Sequence, residues 1–181
     1  MSSYYSIVPE NISSNTFNYY DATIEIETDN IQPGYEPYMF FTASGCTTLQ
    51  YSYPPHFVGI KSNKPLIVDQ FDFTGLKDGI NNGWMSVKEF KIESSMDEET
   101  WDTLYSGTIP FAQSYTQSCE FKPIKCKSIR CTILSTYSPG GQYATWFQGK
   151  NFKIYGRLTS RYKLYTNPDA YAIPKEGENN E

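Results

Sequence analysis

Val87-Lys88-Glu89-Phe90-Lys91-Ile92-Glu93-Ser94 and Ser128-Ile129-Arg130-Cys131-Thr132-Ile133-Leu134 are the stretches whose reading decides the fold. Phe90 and Ile92 recur every second residue in the first, and Ile129, Cys131 and Ile133 do so in the second. Successive side chains of a strand point to opposite faces, so this period predicts half-buried β-strands. Working outward, Asn151 to Tyr155 reads as the last strand, and Phe57 to Ile60 and Pro65 to Phe73 as two earlier ones. Thr23 to Glu27 alternates as a first or edge strand, and Tyr38 to Thr42 reads as a short aromatic strand. Trp101 to Tyr105 and Cys119 to Phe121 complete the set, with Trp101 assigned to the core. Turn signals separate these runs: Pro33-Gly34, the Gly/Asn-rich Thr74 to Gly83, the acidic Ser95 to Thr100, and Ser138-Pro139-Gly140-Gly141. Many short strands divided by turns predict an all-β antiparallel sandwich rather than β-α-β units.

Composition agrees with this reading. Of the 181 residues, 17% are aromatic, including 16 Tyr and 11 Phe, which suits pleated, half-buried surfaces and opposes disorder. The net charge of −5 has the wrong sign for bulk attraction to nucleic acid or an anionic membrane, so neither is expected as a partner. The basic cluster from Lys122 to Arg130 alternates with apolar residues and reads as solvated strand faces. No apolar run approaches membrane-helix length. Met1-Ser2-Ser3-Tyr4-Tyr5 lacks the basic and apolar regions of a signal peptide, so synthesis in a cytoplasm without export is expected. Residues 1–22 read as a polar N-terminal arm, 23–158 as the sandwich, and 159–181 as a polar C-terminal arm or tail.

Residues 84–156 carry a resemblance. Trp84 to Ser95, the acidic turn Met96-Asp97-Glu98-Glu99-Thr100 and Trp101 resemble a strand, hairpin turn and strand restart of the discoidin family, also called coagulation-factor 5/8 type C. Phe121-Lys122-Pro123-Ile124 leading into Ser128 to Leu134 is similar to that family's penultimate strand, and Asn151 to Gly156 to its closing strand. Pro55 to Ile60 and Lys64 to Val68 resemble an earlier strand pair, with Phe57 in place of the usual Trp. No Cys lies near Gly156 to make the bridge that ties the ends of many extracellular members. The resemblance implies a discoidin-like jelly roll, related to galactose-binding domains, whose ligands meet loops at one end of the sandwich.

By order along the chain those loops are 45–55, 74–83 and 138–147. The first offers Tyr51 and Tyr53. The second offers Lys77, Asp78, Asn81 and Asn82, with Trp84 at its edge, and the third offers Gln142, Tyr143 and Trp146. Aromatic faces beside amide and acidic groups suit a sugar ring, and equally a protein hot spot. The competing reading is that Trp84 and Trp146 simply plug the ends of the sandwich.

Chemistry that breaks bonds finds no foothold. The single His, His56, sits before an apolar strand and reads as structural. Asp97, Glu98 and Glu99 read as a solvated turn, lacking the burial that tunes a general acid or base. With one His and no Cys-x-x-Cys among Cys46, Cys119, Cys126 and Cys131, no metal site or cofactor is expected. Free buried thiols are favoured for the cysteines, with a Cys119–Cys131 bridge as the alternative. The expected function is non-catalytic recognition or attachment, through a glycan or protein surface. The expected setting is a larger particle, such as a phage or virus decoration or tail component, with neighbouring subunits as further partners. The alternative is an intracellular structural adaptor of ciliary or cytoskeletal type, binding protein through edge strands and terminal arms.

Overall fold

Two long strands organise the molecule, His56–Leu76 (β5) and Ser114–Thr136 (β8), antiparallel from His56 opposite Ile133 to Leu76 opposite Ser114. The computed structural model describes residues 5–29, 31–47, 55–76, 86–111, 114–137 and 147–159. Among these, the other strands are Tyr5–Ser6 (β1), Thr16–Tyr19 (β2), Ala22–Thr28 (β3), Cys46–Thr47 (β4), Val87–Ser95 (β6), Asp102–Thr108 (β7) and Gln148–Leu158 (β9).

The β5–β8 ladder breaks twice, between Lys61 and Leu66 and between Val68 and Gln70. Pro65 lies in the first break. Pro123 lies across from the second, between the paired residues Glu120 and Ile124. Proline has no N–H to give a ladder, so both occupy the places where pairing is already interrupted. On one side of the breaks, β5 pairs with β3 and β8 pairs with β6, which gives a front layer ordered β2-β3-β5-β8-β6-β7. On the other side β5 pairs with β9, whose far edge takes β1 and β4, which gives the back layer. Each long strand thus passes from one layer to the other, and the two layers form an antiparallel β-sandwich.

The second break also resets the phase of β5. Val58, Ile60, Leu66 and Val68 face inward before it, and Phe71 and Phe73 after it. One extra residue in the strand, Asp69 between Val68 and Gln70, reverses which face every later side chain meets. Phenylalanines fill the core. Phe73 of the back layer meets Phe90 of the front layer edge-on, with centroids 5.0 Å apart, and lies stacked 5.3 Å from Phe152.

Several sequence expectations are corrected. Tyr38 to Thr42 is no strand: Pro37–Phe41 is a 3₁₀ helix, with Met39 N donating to Glu36 O and Thr42 N to Met39 O. Phe40 and Phe41 are both buried, which consecutive residues of a half-buried strand cannot be, and Pro37 favours a helical start. The separate strands read at 57–60 and 65–73 are parts of β5, and those at 119–121 and 128–135 are parts of β8. Residues 5–22 do not stand apart from the core. β1 pairs with β9, β2 pairs with β3, and Ile7, Val8 and Ile12 are buried. Trp101 is not a core residue either. It is half-buried on the outer face of the front layer, against Arg130, which points outward because its neighbours Ile129 and Cys131 point inward. The C-terminal arm, expected at 159–181, lies outside the described residues apart from Thr159.

Candidate functional site

The strand ends locate the three loops singled out from the sequence. In the back layer Thr47 pairs with Gln148, and Gly75, just before the end of β5, pairs with Gly149. In the front layer His56 pairs with Ile133 and Val87 with Thr136. The segment 48–55 therefore leaves the back layer at Thr47 and enters the front layer at His56. Residues 77–86 run from Leu76 to Val87, and 137–147 return from Thr136 to Gln148. The six strand ends that flank these segments lie at the same end of the sandwich. The residues predicted to meet a ligand, Tyr51, Tyr53, Lys77, Asp78, Asn81, Asn82, Trp84, Gln142, Tyr143 and Trp146, lie outside the described residues.

Beneath this end lies a polar anchor that sequence reasoning missed in part. His56 is fully buried, and its Nδ1 lies 2.8 Å from Asp29 Oδ2. Asp29 Oδ1 accepts a hydrogen bond from Phe57 N at 2.7 Å. One carboxylate at the end of β3 thus fixes the first two residues of β5, where the 48–55 segment joins the sheet. The structural reading of His56 fits this geometry. Asp29 carried no signal, since it stands in what the sequence presents as an ordinary turn. Apolar support comes from Phe147, which ends the third loop and stacks on Phe40 with centroids 5.2 Å apart. The 3₁₀ helix is tied in through Asn15, whose Oδ1 accepts from Tyr38 N and whose Nδ2 donates to Glu36.

A second feature lies on the outer face of the front layer. Glu27, Gly59, Arg130 and Glu93 stand side by side on β3, β5, β8 and β6. The turn after β6 folds back over this row. Ser95 Oγ accepts from the N–H groups of Asp97 and Glu98, and Asp97 Oδ1 accepts from those of Glu99 and Thr100. The Thr100 and Glu99 amides hold the Asp97 carboxyl below its ordinary range. Glu98 takes a left-handed conformation at φ 67° and pairs with Lys61 at 2.6 Å. The acidic turn is solvent-exposed, as the sequence reading has it, and these hydrogen bonds fix its backbone.

Trp101 Nε1 donates to Glu98 O, and its ring lies 3.6 Å from the Arg130 guanidinium carbon, which also lies 5.3 Å from the Phe57 ring. Glu93 is nearly inaccessible and takes hydrogen bonds from Arg130 Nε (3.2 Å) and Thr132 Oγ1 (2.6 Å), with Lys91 Nζ at 2.6 Å. Burial pushes its carboxyl up, but Lys91, Thr132 and Arg130 together bring it below the usual range. Between this cluster and β3 opens a pocket of about 190 Å³ lined by Glu27, Phe57, Gly59, Glu98, Trp101 and Arg130, with Ile60 and Ile129. The signal for it was a lone Arg between two inward residues, which the sequence reading placed in solvent.

Nothing among the described residues gathers three or more His, Cys, Asp or Glu groups able to hold a metal. Cys119, Cys126 and Cys131 are buried free thiols. The proposed alternative bridge between Cys119 and Cys131 is absent. Burial pushes Cys119 and Cys126 up to about 12, and Cys131 well up, so none is a nucleophile at neutral pH.

The model of the F5/8 type C domain matches residues 40–148, more than half of the chain. The chain belongs to this family. Its F5/8 type C fold is shared with solved carbohydrate-binding modules. CBM32-3 from a family 31 glycoside hydrolase of Clostridium perfringens is 19% identical, with 74% of this chain and 91% of that one covered and a TM-score of 0.57. The family 32 module of C. perfringens NanJ, solved in complex with galactose, is 14% identical over 73% and 93%, with a TM-score of 0.57. A third, CpGH89CBM32-5 of C. perfringens in complex with GalNAc-β-1,3-galactose, is 11% identical over 73% and 94%, with a TM-score of 0.55. At such identities the likeness concerns the fold. No curated protein matches the sequence. In this F5/8 type C domain the family match begins within the 3₁₀ helix and covers all three loop segments and the whole of β5 to β8.

Proposed function

We propose that this F5/8 type C domain is a non-catalytic glycan-recognition module that meets its ligand with the loop end of the sandwich. The observation that carries the reading is the convergence, at one end of the sandwich, of the six strand ends between which residues 48–55, 77–86 and 137–147 run. These segments hold Tyr, Trp, Asn and Gln in the mixture that sugar rings require: a face for C–H stacking and amides for hydroxyls. Complexes of similarly folded modules with galactose and with GalNAc-β-1,3-galactose support the choice of ligand class.

The setting that fits is a particle or assembly presenting many copies, since single shallow sugar sites bind weakly and gain by multivalency. The free thiols at Cys119, Cys126 and Cys131 suit assembly in a reducing compartment. The test is a glycan array probed with the full chain, followed by calorimetry with galactose and N-acetylgalactosamine. Trp146→Ala and Asn81→Ala are expected to weaken binding by about tenfold or more, the scale of one lost stacking or hydrogen-bonding contact. A blank array, or variants that bind as the parent does, would sink the reading.

The second reading, an adaptor for protein partners, is favoured by two edges. Among the described residues β2 pairs only with β3, and β7 only with β6 along its length. Deleting residues 1–22 would not test it, because Ile7, Val8 and Ile12 belong to the core. Proline at an edge position of β7 is the better probe. Partner capture that survives it would exclude that edge.

A further inference from the structure

The pocket under Trp101 lies on the outer face of the front layer, on neither the loop end nor a sheet edge. Two of its polar groups have bonding capacity left over. Arg130 uses Nε for Glu93, and among the described residues its two terminal nitrogens take no acceptor. The Glu27 carboxylate is half-buried and receives no hydrogen bond or ion pair among the described residues. A half-buried carboxylate without donors is costly, and burial pushes its carboxyl up. An acceptor and a bidentate donor thus line one concavity walled by Trp101 and Phe57.

Charge and size narrow the ligand. Two carboxylates, Glu27 and Glu98, line the pocket against the Arg130 cation, and Lys61 neutralises Glu98 from the rim. The lining is therefore balanced, which favours neither an anion nor a cation. A hydroxyl both donates and accepts, so a vicinal pair of hydroxyls can serve Glu27 and Arg130 together. At about 190 Å³ the space suits one ring and falls short of the roughly 300–1,000 Å³ of sites for larger ligands. Gly59 keeps the floor low: a Cβ there would lie 2.3 Å from Ile129 O and 2.7 Å from Arg130 Cβ.

We propose that the pocket flanked by Glu27 and Arg130 and walled by Trp101 and Phe57 is a second binding site, taking a single neutral polyhydroxylated ring such as a pyranose. It is independent of the loop end, and either site can fail without the other.

The test is ¹⁵N NMR of the full chain, read at the Trp101 indole N–H, which Trp101→Phe assigns among the three tryptophans. Methyl galactoside and methyl glucoside are titrated at millimolar concentrations beside two controls, cyclohexanol and methylammonium. The glycosides should shift the Trp101 resonance and the controls should not. Glu27→Ala should weaken the response about tenfold, whereas Glu27→Gln, which keeps an acceptor oxygen, should stay within about threefold. A dispersed amide spectrum of each variant shows that it has folded. An unmoved Trp101 resonance overturns the proposal. So does an equal response to either control, or to Glu27→Ala and the parent. The Trp84 and Trp146 indoles report the loop end separately, so a shift confined to them would support that site and refute this one.

Discussion

Trp101→Ala and Phe73→Ala, made separately, discriminate a core that closes over phenylalanines from one that closes over the tryptophan. Phe73 is fully buried and bridges the layers through Phe90 and Phe152. Truncating such a ring removes its transfer free energy and leaves a cavity that close-packed neighbours fill only in part. The expected cost is about 4 kcal/mol, within the 3–5 typical of buried Phe→Ala. Trp101 is half-buried, and its loss forfeits the Arg130 stacking and one hydrogen bond to Glu98 O. Those contacts are worth about 1 kcal/mol each, so about 2 in total. Urea denaturation followed by circular dichroism reads the difference. With a slope near 2 kcal/mol per M, the midpoint should fall by about 2 M for Phe73→Ala and about 1 M for Trp101→Ala, with the slope unchanged. Trp101→Phe should recover part of the smaller loss. Equal losses for the two alanine variants, or a larger one at Trp101, would refute the placement of Trp101 on the outer face.

Gly59→Ala should destabilise by about 1–3 kcal/mol, because the new methyl meets the Ile129 carbonyl and Arg130 at non-bonded distances that force β5 and β8 apart; a thermal melt checks this. Glu93 has its folded-state carboxyl held down, so its contribution to stability is present at neutral pH and is lost as pH falls below the ordinary carboxylate range. Urea titrations across that range should show an acid-side decline that Glu93→Gln makes shallower, and an unchanged slope would count against the cluster with Arg130, Thr132 and Lys91. Glu27 is raised by burial, so the opposite sign holds: its ionisation costs stability as pH rises to neutrality, and Glu27→Gln should be at least as stable as the parent at pH 7. Finally, peptide mapping after iodoacetamide treatment should find Cys119, Cys126 and Cys131 unmodified in the native protein and alkylated once it is unfolded.

The alternation of Phe90 and Ile92, and of Ile129, Cys131 and Ile133, was sufficient for the all-β class, because a strand's two-residue period is written locally and burial imposes it. Order and spacing from Trp84 to Gly156 likewise carried the family, which the match over residues 40–148 shows. What the sequence left open depends on partners far away in the chain. Where β5 and β8 change layers is fixed by mutual register breaks at Pro65, Asp69 and Pro123, and a register is a property of a pair. The segment 5–22 reads as polar, yet Ile7, Val8 and Ile12 are buried, and β1 pairs with β9 more than a hundred residues on. Trp101 looked like core because it is large and apolar, but the turn before it and the outward Arg130 give it a partner on the other face. The Asp29–His56 anchor and the Glu27–Arg130 pocket likewise join residues with no local signal. Local pattern decides which residues are strand and which face is apolar; only tertiary pairing decides which strands meet, and hence which polar groups converge.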